Sequence, residues 1–599
     1  MLGRFARRPD RHFAKLKLRV QTGYHPEQRG DHVVIRVPTK ANHQIRLFGR
    51  NSHCSDPLAE AGKNRNMDLI AGNRPSLDGQ RFQVIVIGGG INGVAIARAC
   101  AQAKRRTLLL EQSDFGAGTT SRSTRMIHGG LRYLEHGEIG LVRESLRERQ
   151  VLLKERPHLV RPMPLLLALG ENSSRSALKV RLGLWLYQRL GGKTAANGSL
   201  DAKGFERLLD SGHRWSVFSF EDAQCEFPER LVAEWLVEAH QAGATVRNHA
   251  QVLAADVAYG RAKGVLVRDL ITGKEERVEA NWVINATGPW ADRVCQRSGI
   301  NTGGPMLGGV RGSHIVLPRF PGAPSSALFT EAIDGRPIFL IPWNEQILFG
   351  TTEVPDTSDP GKAQPSTEEI EYLLSSLHSL FPGAQVISSD IRYAFAGVRP
   401  LPRVPKGKPS SITRRHFLHD HSNEGVQRMI SVIGGKLTTA AQVARECAGK
   451  IGIPIPPSGP VVLVPEDEIA GGLDDFSAEL SGIAGISETA ADAIMAWHGK
   501  RTLAIAELAR TSVEMRSPLC AHTEHIVAEA VDALKNEFAV TLADVLLRRV
   551  PVALGACWSE ECSRTAAVRI GAVMTWSDAE IKSGLEAFEQ ERSEFLRKA

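Results

Sequence analysis

The stretch VIVIGGGINGVAIARACAQAKRRTLLLEQSD, Val84 to Asp114, decides how the chain begins to fold. Val84 to Ile87 reads as a buried strand. Gly88, Gly90 and Gly93 follow as G-x-G-x-x-G, Val94 to Gln102 reads as a helix, and Thr107 to Leu110 as a second strand ending at Glu111. This is a βαβ unit. Its glycines permit a tight turn and let backbone amides approach a pyrophosphate at the helix N-terminus, where N–H groups and the helix dipole favour an anion. Glu111, eighteen residues after Gly93, stands where an acid accepts ribose hydroxyls and repels a 2′-phosphate. The pattern predicts a dinucleotide site and leaves NAD and FAD both open.

At 599 residues the chain exceeds one ordinary core, so two or three domains are expected, and 42% apolar residues suffice to build them. No apolar run approaches the ~20 residues that span a bilayer. Eight cysteines, with no C-x-x-C pair and only Cys557 and Cys562 close together, give neither a disulfide framework nor a zinc pattern, so no metal site is expected. They fit a reducing, cytoplasmic setting. Of 74 Lys/Arg and 66 Asp/Glu, fifteen and seven lie in residues 1–80, which leaves 59 of each for the rest. The net charge of +8 therefore belongs to that first segment, which reads as a disordered extension ahead of the first strand; the neutral remainder calls for no nucleic acid partner.

Beyond the βαβ unit, Gly116 to Gly137 is too polar and glycine-rich for a core element and reads as a binding loop. A helix follows with Leu141, Val142, Leu146 and Leu153 along one side, stopped before Pro157. Leu182 to Leu190 reads as a second helix, Leu231 to His240 as a third, and Val283 to Asp292 as a strand meeting a Gly-Pro turn. SHIVLP, PIFLIPW and QILFGTTE, within an inserted segment at about 305–395, predict an antiparallel sheet walling a pocket. Ile430 to Cys447 is a further strand, glycine turn and helix. Pro-rich Ile453 to Pro460 reads as a linker into a helical region, residues 451–599, where Val527, Val531, Leu534 and Phe538 share a face and Thr541 with Asp544 forms a capping box opening TLADVLLRR. No strongly amphipathic basic helix stands out.

Four glycine-rich clusters carry cations or donors: His128 to Tyr133, Gly397 to Pro400, Ile412 to Arg414, and Gly434 to Thr439. If their cations converged on one cavity they would make a phosphate or carboxylate site, because Arg offers a planar fork of donors and Lys a compact charge. Sequence does not show convergence.

The segment TTSRSTRMIHGGLRYLEHGEIGLVRESLRERQVLLKERPHLVRPMP, with VINATGPW, GSHIVLP, IPW, ILFGTTE, AGVRPL, SITR and GGKLTT in the same order, resembles the FAD-dependent, quinone-linked glycerol-3-phosphate dehydrogenase family from about Arg81 to Lys450. The resemblance implies an α/β FAD-binding, Rossmann-like domain of the glutathione-reductase/D-amino-acid-oxidase type with an inserted antiparallel β substrate domain and a C-terminal helical domain. By the same resemblance Gly88, Gly90, Gly93 and Glu111 match the FAD pyrophosphate and ribose motif. Thr120, Ser121, Ser123, Gly129 and Gly130 match segments beside the flavin, and Ala286 and Gly288 a second FAD-contacting turn. Gly435, Lys436, Leu437 and Thr438 match the segment facing the flavin's pyrimidine ring. Arg132, Arg399, Arg414 and Lys436 match the substrate-site cations, with Tyr133 as an added hydroxyl donor.

The implied reaction is oxidation of sn-glycerol 3-phosphate to dihydroxyacetone phosphate by hydride transfer to flavin N5, with His128 as base, Lys436 or Arg132 stabilising the alkoxide, and Arg399 and Arg414 holding phosphate. Quinone as acceptor and peripheral contact with the inner face of the cytoplasmic membrane are likewise implied, and oligomeric state is left open. Two departures bear on the substrate: Cys225 to Leu231 reads CEFPERL where the family often has paired aspartates, and Glu353 replaces an aspartate after Gly-Thr-Thr. The alternatives are a related oxidase or dehydrogenase for another hydroxy or amino acid, and a non-catalytic FAD-binding protein.

Overall fold

The computed structural model describes residues 74–598, apart from 174, 192–204, 207, 405–411 and 456–472. The expectations for residues 1–73 and for most of the 453–460 linker lie outside the described residues.

Two sheets organise the chain. In the first, strand Arg81–Ile87 lies between Thr107–Leu110 and Glu275–Asn285, parallel to both, with Val86 opposite Leu109 and Ile284. Thr245–Arg247 extends one side, Met429–Ile433 and then Phe417–Asp420 the other, and Ala250–Ala258 with Arg261–Asp269 forms an antiparallel meander leading into Glu275–Asn285. Central strands of a parallel sheet are covered on both faces and so read as unbroken apolar runs. Helices Ile91–Gln102, Pro228–Gln241 and Ala440–Lys450 cover one face, and Val252, Val265, Val267 and Val278 of the meander lie in the core on the other.

The second sheet is mixed and reaches well beyond residues 305–395. Its order is Val354–Pro355, Val310–Leu317, Gln346–Gly350, Pro337–Trp343, Ala327–Glu331, Val160–Gly170, Trp215–Cys225 and Met126–Ile127, with Tyr393–Arg399 paired to Val310–Leu317. Ala327–Glu331 runs parallel to Val160–Gly170, and every other pairing is antiparallel. The early strands were invisible as sheet members because their partners are distant in sequence: Met126 pairs with Gln224, and Leu165 with both Phe220 and Ala327. One face carries helix Thr367–Leu380, capped by a Ser366/Glu369 box, and the other packs against the C-terminal helices.

Those helices depart from the expected pattern in two places. Val527–Asn536 stops before Phe538, which takes a left-handed φ of +61° and packs edge-on against His240 at 4.9 Å. The Thr541/Asp544 capping box forms, but the helix it opens is three residues long and passes into a π-type turn at Val545–Arg549. That turn aims Arg548 and Arg549 inward at Asp114, whose carboxylate accepts from Arg548 Nε (2.5 Å), Arg549 Nη1 (2.7 Å), Arg549 Nη2 (2.8 Å) and Asn248 Nδ2 (3.1 Å). Both guanidinium groups and the carboxylate are buried. Breaking one side of a buried pair strands a desolvated charge, so Asp114→Ala is expected to cost about 3–5 kcal/mol. Urea unfolding checks this; a loss below about 1 kcal/mol would contradict it.

Candidate active site

Strand Arg81–Ile87 delivers the chain to Gly88, whose φ of +102° and position 2.6 Å (from a hypothetical Cβ) to the Ala286 carbonyl admit only glycine. A Cβ on Gly93 would lie 1.8 Å from the Gly88 carbonyl, so helix Ile91–Gln102 packs directly on the turn. Gly90 is its N-cap, with no side-chain cap and no acid in the first turn. Asn92 Oδ1 is buried there without a hydrogen-bond partner. Glu111 accepts from the amides of Gly89 (2.6 Å) and Ser113 (2.8 Å), and burial pushes its carboxyl up. Thr120 Oγ1 accepts from Ile91 N at 3.1 Å.

This turn opens one end of a cavity of about 1020 Å³, lined here by Gly88, Gly90, Asn92, Glu111, Thr120, Ser121, Ser123, Ala286 and Gly288. An anion-favouring helix start, a glycine cradle, an acid at the second strand end and an orphaned amide oxygen fit a dinucleotide. Gly93 and Gly129 do not line the cavity. Gly93 serves helix–turn packing, and Gly129 donates its amide to Tyr187 Oη and Asp222 Oδ1 (both 3.1 Å) behind the wall.

At the other end the four cation clusters meet. His128, Gly130, Arg132, Tyr133, Arg399, Arg414, Gly435, Lys436, Leu437 and Thr438 all line the same cavity. Gly130, at φ +77°, opens the 3-10 turn Leu131–His136 that carries Arg132 and Tyr133. Arg399 ends strand Tyr393–Arg399 and donates to Thr351 Oγ1 (3.0 Å); a Cβ on Gly312 would sit 2.4 Å from its Nη2, so that glycine makes room for it. Arg414 pairs with Glu353 at 3.0 Å. Lys436 Nζ donates to Ser145 Oγ (2.7 Å) and lies 4.7 Å from the Tyr133 ring centre.

Crowding of buried positive charge has consequences. Burial, then Arg414, lower Arg399 to about 10. Burial lowers Lys436 to about 8, against the opposing pull of Glu144 and Glu138. Burial, reinforced by Lys436, Arg149, Arg132 and Arg414, lowers His128 to about 3, so its imidazole is neutral at physiological pH. Its backbone N–H donates to Thr438 Oγ1 at 3.2 Å, joining two clusters that lie 310 residues apart.

Several lining residues gave no sequence signal. His314, within the SHIVLP strand, meets Thr124 Oγ1 at 3.0 Å through Nε2 and stacks on Phe395 at 5.1 Å. Arg122 lies 5.2 Å over Phe595 of the last helix, and Arg548, Gln590 and Glu591 also reach the cavity from the C-terminal region. The altered segment Cys225 to Leu231, expected near the pocket wall or the flavin domain, does not line the cavity and leads into helix Pro228–Gln241 on the dinucleotide sheet. Glu229 instead pairs buried with Arg125 (3.0 Å), and Arg230 with Glu537 (2.6 Å). Of the two departures only Glu353 reaches the site.

A model of the FAD dependent oxidoreductase family matches residues 83–441, and one of the C-terminal domain of alpha-glycerophosphate oxidase matches residues 462–581. The chain is 37% identical to a glycerol-3-phosphate dehydrogenase of Synechocystis sp. over 511 residues, 80% of this chain and 91% of the relative. It is 36% identical to the D-erythritol 1-phosphate dehydrogenase of Brucella abortus over 371 residues, 60% of this chain and 72% of the relative. The solved glycerol-3-phosphate dehydrogenase of Bacillus halodurans, complexed with FAD, shares the fold with a TM-score of 0.70 at 21% identity, covering 88% of this chain and 97% of that one. With the glycine turn, the acid and the cavity these matches make the chain a member of the FAD-dependent oxidoreductases, in the glycerol-3-phosphate dehydrogenase family, with FAD as its cofactor.

Proposed function

We propose that the protein oxidises sn-glycerol 3-phosphate to dihydroxyacetone phosphate and passes the electrons to quinone. The observation that carries this reading is the convergence of Arg132, Arg399, Arg414 and Lys436 beside a neutral His128 in one cavity with the dinucleotide turn. Gly88, Gly90 and Glu111 hold the ADP half of FAD. Thr120, Ser121, Ser123, Gly130, Ala286, Gly288, Gly435, Leu437 and Thr438 line the rest of its cradle, with Gly93 and Gly129 supporting from behind. When bound, FAD supplies the acceptor for the hydride that leaves the carbinol carbon.

The chain's own groups do the rest. Arg399 and Arg414 bind the phosphate, Tyr133 donates to it, and His128 takes the hydroxyl proton at its free ring nitrogen while Arg132 and Lys436 stabilise the alkoxide. Burial depresses His128 most, and an arriving phosphate offsets the share that Lys436, Arg149, Arg132 and Arg414 contribute, so substrate binding raises the base. Anaerobic mixing of the FAD-loaded enzyme with sn-glycerol 3-phosphate is expected to bleach the oxidised flavin, and unphosphorylated glycerol is not. His128→Asn should slow bleaching by about 10²–10⁴-fold with flavin content unchanged. No bleaching by any polyol phosphate would overturn the reading. A longer polyol phosphate is the second reading, favoured by the identity to D-erythritol 1-phosphate dehydrogenase, and bleaching by that substrate alone would select it. Peroxide formation in air without reduction of added quinone would assign dioxygen as the acceptor.

Lys436 gives the reaction a basic limb. Its charge is present below about pH 8 and lost above it, so kcat/KM should fall as pH rises through that value. Lys436→Arg should abolish the fall within the accessible range; an unchanged limb in that variant assigns it to another group.

Peripheral membrane contact is supported by a feature that sequence reading passed over. Among the described residues no helix is long and apolar enough to cross a membrane. Helix Ala177–Arg189, however, exposes Leu178 (76%), Leu182 (64%) and Trp185 (52%) at i, i+4 and i+7, with Lys179, Arg181 and Arg189 nearby. Such a face lies in a lipid interface with its cations at the headgroups. Leu182→Asp/Trp185→Asp should abolish co-sedimentation with anionic vesicles and leave flavin bleaching intact; retained binding would remove this helix from the membrane contact.

A further inference from the structure

The described cysteines are free thiols, and three of them gather outside the lining of the cavity. Cys520 and His522 stand in the loop between helices Val513–Arg516 and Val527–Asn536. Cys557 follows the turn Val552–Leu554, and Cys562 sits in the first turn of helix Glu560–Met574. The three thiol sulfurs and one ring nitrogen of His522 all lie within 4.8 Å of one another. His522 Nδ1 is 3.7 Å from Cys562 Sγ. Zinc bonds of about 2.3 Å to sulfur and 2.0–2.1 Å to nitrogen in a tetrahedron put neighbouring ligand atoms about 3.6 Å apart, so the cluster is near the size of a filled site.

We propose that Cys520, His522, Cys557 and Cys562 bind one zinc ion in a Cys₃His site. Cys557 and Cys562 have the C-x₄-C spacing of a zinc ligand pair, and the fold supplies the other two ligands from 35 residues upstream. Cys520 and Cys562 are buried while His522 and Cys557 are exposed, so the site is anchored inside and open to metal from the surface. Supporting hydrogen bonds are in place. The Ser559 hydroxyl lies 3.4 Å from Cys562 Sγ, and the His522 backbone amide donates to the Cys520 sulfur. Position in the first turn of a fifteen-residue helix puts the dipole's positive end beside Cys562. Zinc takes up the thiolates, and the protons held by the remaining thiols pass to solvent.

The role is that of a clamp. Segment 554–556 docks on the second sheet, where Leu554 O accepts from Asn344 Nδ2 (3.2 Å), Gln346 Nε2 (3.1 Å) and Tyr393 Oη (2.7 Å), and Ala556 O accepts from Arg392. Zinc would tie this segment to the 517–526 loop, which Arg569 of the same long helix already contacts at Pro518 O. The site does not depend on the substrate assignment.

Elemental analysis of the full-length holoenzyme, purified without added metal, tests this. One zinc per chain is expected, lost in Cys557→Ser and in Cys562→Ser with flavin content unchanged. Cobalt added to chelator-treated holoenzyme should give tetrahedral d–d bands to the red of the flavin, absent in His522→Ala. A native protein without zinc that also gives no cobalt bands overturns the site, as does zinc retained in both serine variants. An intact mass two hydrogens low, marking a disulfide, would overturn it as well.

Discussion

Buried carboxylates, Asp114 foremost, tie the C-terminal region to the dinucleotide sheet. Asp114 lies four residues beyond strand Thr107–Leu110, and it accepts from both guanidinium groups of Arg548 and Arg549 and from Asn248. Two cations and an anion out of water are tolerable only because nearly every donor is placed. Arg548 also meets Asp544 (3.1 Å) and Glu591 (2.7 Å), and Asp544 meets His249 (2.9 Å). Arg230, in turn, bonds Glu537 and the Arg549 carbonyl, so the flavin-domain helix Pro228–Gln241 and the C-terminal turn are locked by one continuous network. Because Arg548, Glu591 and Phe595 line the cavity, the network also sets part of the site's wall.

The network is tuned to neutral pH. Despite burial, His249 and Arg548 hold Asp544 well below the usual carboxylate range, and Arg230 brings Glu537 to about 2. A carboxyl whose value is depressed by folding contributes stability above its unfolded value, lost as pH falls towards the folded one. The carboxylates' share of the domain contact is therefore lost in acid, whereas His249, raised by Asp544, loses its share as pH rises. At the substrate end Lys436 likewise loses its charge on the basic side.

Positive charge at that end is costly to bury, and it is answered in part by Glu353, which faces Arg414, and by Glu144 and Glu138, which act on Lys436. An excess of buried cation invites an anion, and burial, reinforced by those cations, keeps His128 neutral. In the proposed reaction, binding and base catalysis would be coupled through the same few charges, Arg132, Arg399, Arg414 and Lys436, which line one cavity with His128.

The local patterns were legible without coordinates. Glycine spacing, apolar runs and the acid at Glu111 specified the βαβ turn, because each depends on steric and hydrogen-bond rules acting within a few residues. Resemblance of ordered motifs then supplied the residues now seen around the cavity. Tertiary structure alone decided what converges. Arg132, Arg399, Arg414 and Lys436 come from four separate segments, Arg548 and Arg549 turn inward although TLADVLLRR reads as an ordinary helix, and Cys520 and His522 meet a cysteine pair that looked too sparse for metal. Segment CEFPERL, which looked like a substrate determinant, proved to be a domain joint. Periodicity records which face of an element is buried, but not which distant element buries it; that depends on packing and charge pairing across hundreds of residues, which only the folded chain resolves.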